Sequence, residues 1–568
     1  MKRKSSFVIL LLIIVLLVSA CSSKESDNNA QTPSESNTGT DAVASNGEAA
    51  GTDAAASNGE AAGTESIDQF RLPEPVEVVT IKKVTPDNQM PSGDTVEDNL
   101  YTRYFAEKTN VNFKYQWTAS GDDYTQKLQL AVASDDLPDA LIVDEKTFLG
   151  LAEAGSIEDL TDVYEKYASD QIKGYFDLNG GVSLQKATID GKLMALPNIV
   201  PKGDSYQNVW IRKDWLDKLK LNPPKTVADL ENIARAFIEN DPDGNGNNDT
   251  IGFAGNHTGI VTNYGENYFF NGLFHAFGSY PGIWLKDEAG NVTYGSTTTE
   301  TKEALGKVRE WYQAGLIDKD IASRTDSDEL IVSGKSGIFF GPWYAPFGVL
   351  TNAMTTNPDE EWGAYLIADE NGTYNSTVVP ASSQFLVVKK GFKHPEALFT
   401  YFNYYVRFAL TPTEEDSKLD QSYLSLAPMQ MTIGDANLVA AYGDHLNKAA
   451  SGEITEDQLS PSEKPVFEEW KKYLEDPKNN IDQWGPPYSY MVGAGTQVGV
   501  NFNEVYSAFT ASTPTMEKRW SNLQKLEAET FFKIVLGDLP LDAFDQFVTD
   551  WKSQGGDEIM KEIQEAVH

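Results

Sequence analysis

Cysteine is almost missing: the 568 residues contain one, Cys21. A single thiol cannot close an intramolecular disulfide, so the fold must rest on packing and on any metal it holds. Basic residues are scarce, 46 Lys and Arg against 84 Asp and Glu, for a net charge of −38. That balance argues against nucleic acid as a partner, because gripping phosphate backbones needs clustered Lys and Arg. It also argues against broad adhesion to anionic lipid. The histidines, His257, His275, His394, His445 and His568, are scattered, with no HExxH or other paired spacing. No G-x-S-x-G elbow, P-loop or G-x-G-x-x-G precedes a helix. Nucleophilic catalysis therefore has little support. No apolar run in the chain is long enough to cross a bilayer.

The one strongly apolar run is residues 7–18, FVILLLIIVLLV, preceded by Lys2, Arg3 and Lys4. Spanning a hydrocarbon core of roughly 30 Å takes about 20 apolar residues, so this run is too short. A charged start, an apolar centre and the small residues Ser19 and Ala20 describe a secretory signal. Val18-Ser19-Ala20-Cys21 resembles the lipobox of bacterial lipoproteins, whose cysteine becomes the lipidated first residue. The expectation is a signal peptide over 1–20 and a lipidated (palmitate-bearing) Cys21 that holds the protein on the extracellular face of the cytoplasmic membrane.

Residues 22–68 contain no aromatic residue and one basic one, Lys24. Residues 41–52 (DAVASNGEAAGT) recur almost unchanged as 53–64 (DAAASNGEAAGT). Such a composition cannot bury enough apolar surface to offset the entropy of ordering. The stretch reads as a tether, with an end-to-end distance of roughly 35–40 Å. From Val76 the pattern changes to short strands alternating with helices. Strands are expected at 76–84, 112–117, 139–143, 208–212 and 336–340, and helices at 99–108, 123–134, 227–239, 301–314, 396–407 and 516–536. Thr226 is placed to cap the helix at 227. This alternation predicts α/β layers with parallel sheet, in two or more domains.

Residues 241–249, DPDGNGNND, set oxygen side chains at offsets 1, 3, 5 and 9 and glycine at offset 6. That matches the start of an EF-hand calcium loop, which suits a hard cation wanting six to eight oxygens. Offset 12, the bidentate Glu of an EF-hand, is Gly252 here, so the remaining ligands must be water or a neighbour such as Thr250. Asp/Asn/Gly turns also form without metal. The expected role of Ca²⁺ is structural.

Aromatics in turn-like contexts are the other signal: Trp343 and Tyr344 after Gly341-Pro342, Trp484 and Tyr488 around Gly485-Pro486-Pro487, and Tyr206. Rings stack on the C–H faces of sugars, and loops on a rigid scaffold carry function. Trp215 and Trp311, on helices, are assigned to the core. One enzyme class stays open on composition, glycoside hydrolysis by a carboxylate pair, since acidic residues are plentiful.

Several segments together resemble the lipoprotein extracellular solute-binding proteins of ABC sugar importers, family 1, of the LipO/LplA and alginate-binding type. They are residues 133–139 (ASDDLPD), 191–197 (GKLMALP), 210–216 (WIRKDWL), the 241–252 loop, 310–318 (EWYQAGLID), 334–344 (GKSGIFFGPWY), 525–537 (KLEAETFFKIVLG) and 544–558 (FDQFVTDWKSQGGDE). The resemblance implies a two-lobed α/β fold of the periplasmic-binding-protein type (type II), hinged between discontinuous lobes. By analogy lobe 1 takes 72–203 and 383–515, lobe 2 takes 204–382 and 516–568, and 21–71 is the tether. It implies Ca²⁺ ligands at Asp241, Asp243, Asn245, Asn247 and Asp249. It places Trp343 and Trp484 against a sugar from opposite lobes, with Tyr206, Tyr344 and Tyr488 beside them. The implied function is a monomeric, non-enzymatic binding protein that captures an oligosaccharide and delivers it to an ABC importer permease. The alternative is a surface glycoside hydrolase.

Overall fold

The computed structural model describes residues 67–84, 93–262, 266–419 and 421–567. The expected signal peptide, Cys21 and the tether up to residue 66 lie outside them. The 66–568 unit begins with β1 (Val76–Lys83), α1 (Leu100–Thr109), β2 (Val111–Ala119), α2 (Gly121–Ala133) and β3 (Ala140–Val143). β4 (Leu196–Pro197) leads to a first crossing segment. Beyond it come β5 (Asn208–Arg212), α3 (Lys213–Leu219), α4 (Val227–Asn240), β6 (Ile251–Phe253) and α5 (Thr299–Gln313). Next are β7 (Ser336–Gly341), α6 (Val349–Thr356) and β8 (Trp362–Tyr365). β9 (Tyr374–Val378) forms a second crossing and returns the chain to β10 (Phe385–Val388) and α7 (Glu396–Leu410). α8 (Leu438–Ser451) and α9 (Glu463–Glu475) precede a third crossing on β11 (Phe502–Tyr506) and the long α10 (Met516–Leu536).

This path builds two apolar cores. One gathers residues from 72–199 and 385–436, including Val78, Phe105, Leu141, Phe385 and Phe402. The other gathers residues from 209–367 and 516–563, including Ile211, Trp215, Trp311, Phe531 and Trp551. The second lobe's sheet runs β8-β5-β7-β6, with β5 and β7 wholly buried. Side chains alternate across a strand. Ile211, Ile338 and Phe340 therefore enter the main core, while Trp210, Phe339 and Trp362 enter a smaller cluster. A strand buried on both faces reads as one apolar run, which is why IFF and VWI stand out in the sequence.

The parallel-sheet expectation holds only in part. β1–β2, β6–β7 and β9–β11 are parallel, whereas β5–β7, β5–β8, β3–β10 and β4–β10 are antiparallel. β5 and β10 are the first strands laid down after a crossing, and each runs antiparallel to both of its neighbours. The lobe boundaries also differ from the analogy on one stretch. Ile481 and Trp484 pack with Trp210, Phe339 and Trp362, and Val439 and Ala494 pack with Trp343, so the segment carrying α8 and α9 sits on the second lobe rather than the first.

The crossings hold each other through polar contacts. Asn198 Oδ1 accepts from the Ser383 and Gln384 amides at 2.8 and 2.9 Å, and Ser205 Oγ accepts from the Val379 amide at 2.9 Å. β9 and β11 pair from Tyr374↔Phe502 to Val378↔Tyr506.

Candidate functional site

β7 delivers its chain into Pro342 and Trp343, then a tight turn over Ala345–Phe347. Trp343 is 6% exposed, and its Nε1 donates to Asp204 Oδ1 on the first crossing at 2.8 Å. Its indole meets Tyr490 at 4.8 Å, Tyr344 edge-on at 5.6 Å and Phe347 edge-on at 6.0 Å. Tyr442 extends the group, 5.5 Å from Tyr490. Tyr344 and Phe347 remain 38% and 50% exposed, so the outer surface of this cluster is aromatic and open to water. Burial, and after it the charges of Asp204 and Glu266, pushes the Tyr344 hydroxyl above its usual range. The arrangement is an apolar wall with carboxylate acceptors beside it, which suits a ligand with C–H faces and hydroxyl donors. Gly493 lets the backbones close: a Cβ there would lie 2.1 Å from the Trp343 carbonyl.

The other expected aromatics do not join this surface. Trp484 is 2% exposed, stacked on Tyr488 at 4.4 Å within the small cluster of the second lobe. The Tyr488 hydroxyl donates to the Trp362 carbonyl. Both are packing residues here, because Gly485–Tyr488 is a helical turn laid on the lobe and not an open loop. Trp484 therefore does not face Trp343 from the opposite lobe. Tyr206 is buried in the crossings, stacked on Phe502 at 4.0 Å and donating to Glu504 Oε1 at 2.8 Å. Lys202 Nζ meets both Glu504 oxygens at 3.0 Å, so Tyr206 belongs to a hinge contact. Asp204, Phe347, Tyr442 and Tyr490 are not among the expected residues. Phe347 shares the Gly341–Phe347 turn with Trp343, whereas the other three reach the site from distant sequence and leave no local signal.

Beside the crossings lies a cavity of about 320 Å³. Asp144, Glu145 and Lys146 line it from the exit of β3, with Pro380, Ser382 and Thr510 from the crossings. Lys186 pairs with Glu145 at 2.9 Å, and Lys146 pairs with Glu517 across the lobes.

The 241–249 loop ends α4, which Thr226 caps as expected, in a capping box completed by Asp229. Gly244 and Gly246 take positive φ, as the tight loop requires. Asp241 Oδ2 accepts from the Gly246 amide at 3.0 Å, and Asn245 Nδ2 donates to Asp243 Oδ2 and Asp249 Oδ1 at 2.8 and 3.0 Å. Asp241 Oδ1 and Thr250 Oγ1 are buried without a hydrogen-bond partner. These orphaned oxygens fit an oxygen-seeking cation. Among the described residues, though, no group of three or more His, Cys, Asp or Glu stands ready at metal-holding geometry.

No helix among the described residues is long and apolar enough to cross a membrane. A family profile for bacterial extracellular solute-binding proteins matches residues 87–407. The polygalacturonan/rhamnogalacturonan-binding protein YtcQ of Bacillus subtilis is 27% identical over 486 residues, covering 81% of this chain and 86% of that one. Lipoprotein LipO of the same organism is 23% identical over 470 residues, covering 80% and 86%. The fructooligosaccharide ABC transporter substrate-binding protein FusA of Streptococcus pneumoniae is 31% identical over 283 residues, 46% of this chain and 50% of that one. Among solved structures, an HMO-binding, ABC-transporter-associated solute-binding protein from Bifidobacterium longum infantis superposes with a TM-score of 0.54 at 17% identity, covering 87% of this chain and 98% of that one. By a profile that spans more than half of its length and a two-lobed fold shared with such structures, the chain belongs to the bacterial extracellular solute-binding proteins.

Proposed function

We propose that this protein captures an oligosaccharide between its lobes and hands it to the permease of an ABC importer, acting as a monomer tethered to the membrane through Cys21. The observation that carries the reading is the exposed Tyr344–Phe347 surface over Trp343, beside Asp204 on a crossing segment. The names of YtcQ and FusA, both carbohydrate-binding, support an oligosaccharide ligand, and the name of LipO supports the lipid anchor. Relatives named as binding proteins favour capture over hydrolysis. A thermal-shift screen of plant, algal and animal oligosaccharides, with product analysis on each hit, tests this. Stabilisation without turnover is expected; turnover of the stabilising sugar would move the protein to the glycoside hydrolases. Cys21→Ser should leave the protein unprocessed or released, and a lipidated, membrane-bound variant would contradict the anchor.

The same proposal includes a structural Ca²⁺ in the 241–249 loop, held by Asp241, Asp243, Asn245, Asn247 and Asp249. The orphaned oxygens of Asp241 and Thr250 support it. A ligand of the native state alone adds about 2.7 kcal/mol at a hundredfold excess over Kd. Chelator should lower the Tm, excess calcium should restore it, and Asp243→Ala should abolish the response. Identical melting curves for all of these would leave a plain Asx turn.

A further inference from the structure

The first lobe carries its own aromatic pair, at the carboxyl ends of β1 and β2. In open α/β sheets ligands settle outside the carboxyl ends of the strands. Trp117, near the end of β2, meets Tyr124 in the first turns of α2 at 5.4 Å and 65°. Lys127 Nζ stands 5.7 Å from the centre of the Trp117 ring, and Lys83 Nζ, at the end of β1, stands 5.9 Å from that of Tyr124. Both rings are half-buried and both lysines exposed. Among the described residues neither ammonium has a carboxylate within ion-pair distance or a hydrogen-bond partner. Among the described residues α2 buries only Ala131 and leaves Leu130 69% exposed.

The lysine next to this pair behaves differently. Lys82 is buried, and it donates to the Ser425 carbonyl at 3.2 Å and to that of Ala427. Burial lowers its pKa to about 8. Lys82 is structural, and Lys83 is left on the open side. Asp122 and Asp123 occupy the first turn of α2. The helix dipole accounts for them there.

Two unpaired ammonium groups over two contacting rings, in a chain of net charge −38, form a surface with a defined preference. The rings offer a flat apolar face for a pyranose, and the lysines offer charge-assisted hydrogen bonds for a carboxylate. The second-lobe surface has the opposite character, with Asp204 and Glu266 beside its rings. We infer that Lys83, Trp117, Tyr124 and Lys127 form a first-lobe subsite for an anionic sugar, a uronic-acid residue of the captured oligosaccharide. The inference rests on the oligosaccharide reading above.

The test is titration calorimetry of the full folded chain with trigalacturonate, its methyl ester and neutral trisaccharides. The acid should bind at least about tenfold more tightly than the ester, and the preference should shrink as salt is raised. The double variant Lys83→Gln/Lys127→Gln should lose the preference while keeping the wild-type Tm and its affinity for the ester. Trp117→Ala should weaken acid and ester together. Equal affinity for acid and ester, unmoved by the lysine variant, overturns the anionic subsite and leaves oligosaccharide capture standing. So does tight binding of neutral sugars with neither uronide bound. Failure to bind any sugar overturns both readings.

Discussion

Trp343 and Trp484 look alike in sequence, each beside a Gly-Pro turn, and the fold gives them different work. Trp343 forms the base of a cluster whose outer rings, Tyr344 and Phe347, face water. Trp484 is sealed under Tyr488 against the second lobe's sheet. The difference lies in the chain just past each tryptophan. After Trp343 the backbone makes one short turn and exposes the next aromatics, whereas after Trp484 it continues as helical turns that fold the ring inward. A tryptophan in a turn is therefore no guide to a ligand surface until its neighbours' exposure is known.

The largest effect should come from breaking the sealed member of the pair. Trp484→Ala leaves a cavity in a packed cluster and should cost about 3–5 kcal/mol in denaturant unfolding. The folded fraction should bind sugar with unchanged affinity; a large affinity loss at native stability would put Trp484 back in the site.

Glu527 offers a control in which stability moves and binding does not. It is buried in the second lobe, with Tyr294 and Ser296 donating to it at 2.9 and 2.7 Å, and burial raises its pKa to about 7. A folded-state pKa above the unfolded one means stability is full below the ordinary carboxyl range and falls as pH rises through about 7. Glu527→Gln should therefore match the wild type near pH 4.5 and exceed it by a few kcal/mol at pH 8. A constant difference across that range would show that Glu527 does not titrate as the burial implies.

Next in size, Tyr344→Ala with Phe347→Ala should weaken oligosaccharide binding about thirtyfold, near 2 kcal/mol, with little change in unfolding midpoint because both rings are exposed. Trp343→Ala should lose comparable affinity and some stability as well, since the indole is nearly buried. Smallest of all, Lys146→Gln should leave the midpoint unmoved and change affinity less than about threefold, because its pair with Glu517 is exposed on both sides.

Local elements are readable from sequence. β5, the Thr226 cap and α10 fall where periodicity and capping put them, since buried strands and amphipathic helices write themselves into neighbouring residues. The aromatic turn after β7 is readable for the same reason. Long-range partners are not. Asp204 meets Trp343 across 139 residues, and Tyr490 reaches it from a segment that analogy assigns to the other lobe. Hydrogen-bond partners that far apart depend on how the crossings fold back, which no local pattern encodes.

Whether sugar is held on the proposed Tyr344–Phe347 surface between the lobes can be seen in a crystal structure with the oligosaccharide that gives the largest thermal shift. The expected result is a sugar ring in van der Waals contact with Tyr344 or Phe347, a hydroxyl bonded to Asp204 or Glu266, and contacts from the first lobe closing over the other side. A sugar bound elsewhere, with these two rings still facing solvent, would contradict it.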